Sequence, residues 1–75
     1  MDDEVARLTP RQRLVIACVA EGLSNREIAN RLWLAEGTIS NHLQNIRRRL
    51  HLRNRVQIAV WAVEHGLYRS KQSGT

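Results

Sequence analysis

The sequence has few of the residues that cross-link small domains through disulfides or metals. It contains one cysteine, Cys18, which excludes an intramolecular disulfide and a cysteine zinc cluster. Its three histidines, His42, His51 and His65, are widely spaced, and no Cys, Asp or Glu completes a ligand set with them. We therefore expect no metal site and no cofactor, and we assign Cys18 to the core as a small apolar residue.

Long apolar runs and catalytic motifs are also missing. The longest apolar run, Leu14 to Ala20, is far shorter than the roughly 20 residues that a membrane-spanning helix needs, and nothing resembles a signal peptide. The sequence has no phosphate-binding glycine loop, nucleophile elbow or zinc-protease motif. We therefore expect a cytoplasmic protein that has no catalytic residues, is not an enzyme and does not contact a membrane.

Acidic residues are outnumbered. Among 75 residues, 12 are basic and 7 acidic, for a net charge of +5. All but one of the basic residues are arginine, and three of the acidic residues, Asp2, Asp3 and Glu4, are confined to the start of the chain. Such a balance favours a nucleic acid or another polyanion as partner. Arginine suits phosphate and guanine edges because its planar fork binds them bidentately.

Start and stop signals predict the first two of four helices. Thr9 can cap a helix that begins at Pro10 and ends near Glu21, where Gly22 supplies a left-handed residue. Ser24 and a glutamate three residues later form a second capping box, before a helix over about 25–32. The polar residues 1–7 show no strong period, and we expect a flexible leader or the end of a linker there.

The predicted third helix, about 36–50, follows a short turn and has two contrasting faces. Its apolar residues fall at spacings of four, three and four and form one narrow stripe, namely Ile39, Leu43, Ile46 and Leu50. The opposite face carries Gly37, Asn41, Gln44 and Arg48, with Ser40 and Arg47 at one flank and Thr38 towards the other. Short amides near the start and arginines near the end suit a helix that enters a DNA groove by its N-terminus.

The predicted fourth helix, about 55–65, is apolar on two sides. Val56, Ala59, Val60 and Val63 form one side, and Ile58, Trp61 and Ala62 form the other. A helix of this kind needs two partners, of which one is the domain core. We assign Ile58, Trp61, Ala62 and His65 to a dimer interface, which a two-fold dimer would pair with itself. The alternative is that both sides are internal. The domain is expected to cover 8–68, with a flexible tail over 69–75.

Four groups of residues closely resemble the LuxR/FixJ-type (NarL-like) DNA-binding domain of bacterial transcription regulators. They are Leu8-Thr9-Pro10-Arg11, the run from Glu21 to Ala29, the run from Gly37 to Leu43, and Asn54-Arg55 followed by a helix that ends at His65-Gly66-Leu67. The resemblance implies an all-α, four-helix helix-turn-helix domain whose second and third helices form the DNA-binding unit. Members of the family bind double-stranded DNA as dimers, usually through the fourth helix, and many are the last domain of a response regulator.

The same resemblance implies contacts residue by residue. Base contacts are implied for Gly37, Ser40, Asn41 and Gln44, and phosphate contacts for Ser24, Asn25, Thr38 and Arg47 or Arg48. The sequence departs from the family pattern at several positions. Gly37 has no side chain, Ser40 stands where lysine is frequent, and His51 replaces a common glycine whose φ is positive. These departures move the emphasis to Asn41, Gln44 and the arginines.

The leading hypothesis is therefore sequence-specific DNA binding by a homodimeric transcription regulator, with RNA polymerase as a candidate further partner. Asn41 and Gln44 have the chemistry to pair bidentately with adenine. The alternative from a different class is a protein-interaction module that uses the apolar face of the fourth helix and binds nucleic acid only non-specifically. A third hypothesis is general RNA or DNA binding.

Overall fold

Five α-helices and no strand make up the part of the chain that the computed structural model describes, residues 3–68. The helices are α1 (Asp3–Arg7), α2 (Pro10–Ala20), α3 (Asn25–Leu32), α4 (Glu36–Leu50) and α5 (Arg55–Glu64). The all-α prediction is confirmed, and α2 to α5 are the four helices predicted from the sequence. The predicted tail, 69–75, lies outside the described residues.

Side-chain caps fix where α2 and α3 begin. The Thr9 hydroxyl accepts a hydrogen bond from the Gln12 backbone nitrogen at 3.0 Å, and the Gln12 side chain accepts one from the Thr9 nitrogen at 3.0 Å. Ser24 and Glu27 repeat this arrangement at 3.1 Å and 2.8 Å. Each box satisfies two backbone donors that a helix start would otherwise leave unpaired. Ala35, which precedes α4, makes no side-chain cap.

Within residues 3–68, two residues other than glycine adopt left-handed backbone conformations, and both end a helix. Trp33 has φ 60° after α3, and His51 has φ 58° after α4. The backbone nitrogens of Leu34 and Leu52 then donate to the carbonyls of Ala29 and Arg47, both at 2.9 Å. The positive φ expected at His51 is confirmed. Glycine normally takes such positions because it has no Cβ to clash with the backbone.

The helices enclose one core, with α2 packed against α3, α4 and most extensively α5, and α3 packed against α4. The sequence predicts its α4 members, because the stripe from Ile39 to Leu50 is buried. The buried apolar residues of the described chain are Leu8, Val15, Ile16, Cys18, Val19, Ile28, Ala29, Ile39, Leu43, Ile46, Leu50, Ile58, Trp61 and Ala62. This core holds α3 and α4 in a fixed crossing.

A short helix precedes the four predicted ones, in the part of the chain where the sequence predicts a flexible leader or the end of a linker. The structure has helix α1 over Asp3–Arg7. Arginines from two other helices bind carbonyls at its C-terminal end. The Arg13 guanidinium donates to the Val5 and Leu8 carbonyls at 3.1 Å and 2.8 Å, and Arg49 donates to the Arg7 carbonyl at 2.7 Å. Contacts distant in sequence thus fix a helix that local pattern does not predict.

The structure corrects the choice between the two apolar sides of α5. Ile58, Trp61 and Ala62, which we assigned to a dimer interface, are 1%, 6% and 0% exposed in the single chain. They face α2 and the core, because α5 crosses α2 on this side. The His65 ring, the fourth residue assigned to that interface, stacks on the Trp61 ring with centroids 4.0 Å apart. Ile58, Trp61 and Ala62 are therefore part of the fold and do not form a free surface, and the half-buried His65 packs against Trp61.

Candidate nucleic-acid interface

Helix α4 exposes the face that the sequence predicts for base reading. Gly37, Ser40, Asn41 and Gln44 are all exposed, while the apolar stripe points into the core. A Cβ added at Gly37 would meet no atom within 4 Å, so packing does not require a glycine there. The groups available to read bases are thus the Ser40 hydroxyl and the amides of Asn41 and Gln44.

The three arginines at the end of α4 differ in what they bind. Arg47 and Arg48 are exposed, and neither makes a side-chain hydrogen bond within residues 3–68. Arg49, in contrast, donates a hydrogen bond to the Arg7 carbonyl at 2.7 Å. The cationic end of the exposed face is therefore formed by Arg47 and Arg48. Their charges also complement the negative C-terminal end of the helix dipole.

The start of α3 lies beside this face and carries two of the predicted phosphate ligands, Ser24 and Asn25. The Ser24 oxygen accepts a hydrogen bond from the Glu27 nitrogen at 3.1 Å. The backbone hydrogen bond from Ser24 lowers the pKa of Glu27, with a smaller lowering by the Ser24 side chain. Glu27 is thus held ionised as the capping partner. Thr38, the third uncharged phosphate candidate, is partly buried in the first turn of α4.

A cleft of about 260 Å³ brings several predicted site residues together. Those that line it are Asn25, Ser40, Gln44 and Arg47, along with Leu43, Arg55 and Ile58. A second cleft, of about 430 Å³, adjoins it between Gln44, Arg47, Arg48 and Leu52. The predicted phosphate and base contacts therefore meet along α4. Ser24, Gly37, Thr38 and Asn41 line neither cleft.

The sequence did not predict Arg55, at the first position of α5, as a site residue. Its partly buried guanidinium donates to the Asn25 side-chain oxygen at 2.6 Å and to the Leu23 carbonyl. The Asn25 nitrogen lies 3.3 Å from the Ser40 hydroxyl oxygen. A chain of hydrogen bonds thus links α5 to α3 and α4 across the cleft. The only sequence signal was the Asn54-Arg55 pair within the family resemblance.

The two arginines of α3, Arg26 and Arg31, differ in their surroundings. The Arg31 guanidinium pairs with the Glu21 carboxylate, with nitrogen–oxygen distances of 3.0 Å and 3.2 Å. Arg26 is exposed. The Arg31 charge is partly neutralised within the domain and contributes less to the attraction of a polyanion.

Residues 3–68 contain neither a group of side chains suited to a metal ion nor an accessible thiol. No group of three or more His, Cys, Asp or Glu side chains in this range could hold a metal ion. Cys18 is buried, and that burial raises the pKa of its thiol, which keeps the thiol protonated and unreactive. None of the helices in this range is both long enough and apolar enough to cross a membrane.

The apolar side chains that α5 leaves in solvent form a separate surface. Val56, Val60 and Val63 are 70%, 50% and 59% exposed and follow one another at helical spacing. We call these three residues the valine face. It lies on the side of α5 opposite to the buried Ile58 and Trp61.

Comparison with known proteins gives one family. Residues 6–62 match the family described as "Bacterial regulatory proteins, luxR family". The transcriptional regulatory protein LnrK of Bacillus subtilis is 42% identical over 65 residues, which are 87% of this chain and 30% of that protein. The nitrate/nitrite response regulator NarL of Escherichia coli is 35% identical over 65 residues, which are again 87% of this chain and 30% of that protein.

The DNA-binding transcriptional activator DevR/DosR of Mycobacterium tuberculosis is 38% identical over 72 residues, which are 96% of this chain and 32% of that protein. The chain thus spans about a third of the length of these curated relatives. The matched region contains the capped helices α2 and α3, all of α4 and most of α5. On the family match and the all-helical fold, the chain belongs to the luxR family of bacterial regulatory proteins and has its helix-turn-helix domain.

Proposed function

We propose that this protein binds double-stranded DNA in a sequence-specific manner as part of a bacterial transcription regulator, with α4 in the major groove. Membership of the luxR family supports this function, as do relatives that are described as transcriptional regulators. A protein with this role works in the cytoplasm, where bacterial DNA lies, and that localisation is part of the proposal. Contact with RNA polymerase stays a prediction.

The observation that carries the proposal is the exposed face of α4, which is uncharged from Gly37 to Gln44 and cationic at Arg47 and Arg48. A surface helix that is merely solvated more often mixes acidic and basic side chains. Here the Asn41 and Gln44 amides match the donor and acceptor of adenine, and each aligned pair is worth about 1–3 kcal/mol of discrimination. Arg47 and Arg48 follow on the same helix and suit the phosphates that flank the groove.

The uncharged phosphate contacts come from the start of α3. The Ser24 oxygen caps the helix, and its hydroxyl hydrogen can turn from the Glu27 carboxylate to a phosphate, while Asn25 has a second amide hydrogen. Both can donate to a phosphate oxygen at the positive end of the helix dipole. Thr38 would add a hydroxyl from the first turn of α4. Helices α3 and α4 would then hold the DNA backbone on both sides of the groove.

We further propose that the domain binds DNA as a dimer, and that the valine face replaces the interface we first assigned. Val56, Val60 and Val63 are exposed, and a two-fold axis would pair this face with its copy. Val60→Arg would place a charge at the centre of the valine face while leaving the core intact. Light scattering should show a folded variant of lower mass than the unmutated domain at high concentration. Equal masses for Val60→Arg and the unmutated domain would show that the valine face is not the dimer interface.

Selection from a random duplex library tests the proposed function directly. An enriched sequence with two-fold symmetry, bound well above its scrambled version, would support a specific dimeric reader. Equal binding of enriched and scrambled duplexes would leave only electrostatic attraction. No binding to either would favour the alternative that the valine face serves a protein-interaction module.

A salt titration then tests the assigned geometry. Each lost phosphate contact should reduce the slope of log affinity against log salt by about 0.9. Arg48→Ala should show this reduction on enriched and scrambled duplexes alike, because a phosphate contact carries no sequence information. Arg11→Ala is the matched control, since Arg11 is an exposed arginine on α2 and is not among the predicted phosphate contacts. Equal slopes for the two variants would contradict the placement of Arg48 on phosphate.

A further inference from the structure

The chemistry of Arg55 determines which way the Asn25 amide points. A guanidinium group has only donors, so the Asn25 atom that lies 2.6 Å from Arg55 must be the side-chain oxygen. The second Arg55 contact, to the Leu23 carbonyl, holds the guanidinium in place from the other side. The Asn25 side-chain nitrogen is therefore directed at Ser40.

The direction of the next hydrogen bond follows from the first. An amide NH₂ group can only donate, so the Ser40 oxygen, 3.3 Å away, is the acceptor. A serine within a helix often donates its hydroxyl hydrogen to the carbonyl four residues earlier. Ser40 does not make that bond, and no other group within residues 3–68 accepts its hydrogen. The Ser40 hydroxyl thus keeps a free donor on the exposed face of α4.

We propose that Arg55 and Asn25 are positioning residues that orient Ser40 as a hydrogen-bond donor toward an acceptor atom on DNA. This inference rests on the proposed function and adds the polarity of one contact. In the major groove, guanine, adenine and thymine all present acceptors, whereas cytosine presents an amino donor. A Ser40 donor therefore disfavours cytosine at the base that it faces. The Ser40 hydrogen could also bind a phosphate oxygen. A base acceptor and a phosphate acceptor give different results in the test below.

The test reverses the polarity of the chain of hydrogen bonds while keeping its shape. In Asn25→Asp the carboxylate still accepts from Arg55 but cannot donate to Ser40. The Ser40 hydrogen then turns inward to the carboxylate, and the donor toward DNA is lost. An acidic residue at the first position of α3 also suits the helix dipole, so the variant is expected to fold. Circular dichroism would check that it does.

A double-mutant cycle separates this effect from that of the added negative charge. Affinities are measured for the unmutated domain, Asn25→Asp, Ser40→Ala and the double variant, each on the enriched duplex, on its single-base variants and on a scrambled duplex. The charge weakens binding equally with and without Ser40, so it cancels in the cycle. Asn30→Asp, with the same charge change at an exposed position on α3, serves as a further control.

We expect a coupling of about five-fold between positions 25 and 40, the usual size of one hydrogen bond. If Ser40 faces a base, the coupling appears as lost discrimination against cytosine at one position of each half-site. If it faces a phosphate, the coupling appears equally on enriched and scrambled duplexes; either result supports the donor assignment. Independent effects of the two substitutions on a duplex that the unmutated domain clearly selects would overturn this inference alone. If the unmutated domain selects no sequence, the proposed function fails and the inference fails with it.

Discussion

Replacing Trp61 by alanine should cost the domain a large part of its stability, whereas replacing its neighbour Val60 should cost little. Trp61 is 6% exposed within the core, and Val60 is 50% exposed on the valine face. Removing a buried tryptophan side chain costs about 3–5 kcal/mol. That range includes the stack with His65, since aromatic pairs contribute about 0.5–1.5 kcal/mol beyond the area they bury.

Because the domain is small, the stability lost in Trp61→Ala is a large fraction of its total stability. A domain of 75 residues is expected to be stable by about 4–11 kcal/mol, at roughly 0.05–0.15 kcal/mol per residue. Trp61→Ala would therefore remove between about a quarter and all of the unfolding free energy. Because 1 kcal/mol shifts the melting temperature of such a domain by about 4–8 °C, we expect Tm to fall by about 12 °C or more. Val60→Ala should stay within about 0.5 kcal/mol of the unmutated protein.

Urea unfolding followed by circular dichroism measures both variants on one scale. The measurement is repeated at several protein concentrations, because self-association through the valine face would add a concentration-dependent stabilisation. A Trp61→Ala variant within about 1 kcal/mol of the unmutated protein, together with a larger loss for Val60→Ala, would refute the assignment of the two faces of α5.

Four further outcomes follow from the structure. Arg49→Ala should lower the unfolding free energy by about 1 kcal/mol in urea titration, with a smaller loss of DNA affinity than Arg48→Ala, because Arg49 binds a carbonyl of α1. His51→Gly should raise the unfolding free energy by about 1 kcal/mol, since φ at position 51 is 58°, and an unchanged Tm would argue against strain there. Ala35→Ser should add about 0.5–2 kcal/mol in the same assay by supplying the cap that α4 lacks. The lowered pKa of Glu27 means that its contribution is complete above its ordinary value of 4.5 and is lost as the pH falls through the lowered pKa. The difference in stability between the unmutated protein and Glu27→Gln should therefore shrink in acid, and a difference that is constant with pH would contradict this linkage.

The sequence predicts α3 and α4 well because their signals are local. Ser24 caps α3, an apolar stripe defines α4, and both helices have the predicted bounds, Asn25–Leu32 and Glu36–Leu50. The exposed face of α4 follows from the same stripe by geometry, because residues opposite a buried line must face solvent. The composition of that face could thus be predicted together with the fold, although its contacts with DNA stay a prediction.

Features that depend on contacts between distant residues could not be predicted in this way. Helix α1 is held by Arg13 from α2 and Arg49 from α4. The sequence of residues 3–7 does not indicate these partners. Helix α5 is apolar on both sides, so periodicity alone could not choose between Trp61 and the valine face. The link from Arg55 to Asn25 joins residues 30 positions apart. Each of these features was decided by how the helices pack.

The contrast between the two tryptophans gives the protein a pair of built-in optical probes. Trp33 is 93% exposed at the left-handed turn between α3 and α4, whereas Trp61 is buried against the His65 ring. An indole in water emits at longer wavelength than a buried one and is open to collision with a dissolved quencher such as iodide. Iodide should therefore extinguish the emission of Trp33 selectively and leave that of Trp61. In one unlabelled sample, the quenchable emission then reports on the turn of the helix-turn-helix and the protected emission on the integrity of the core.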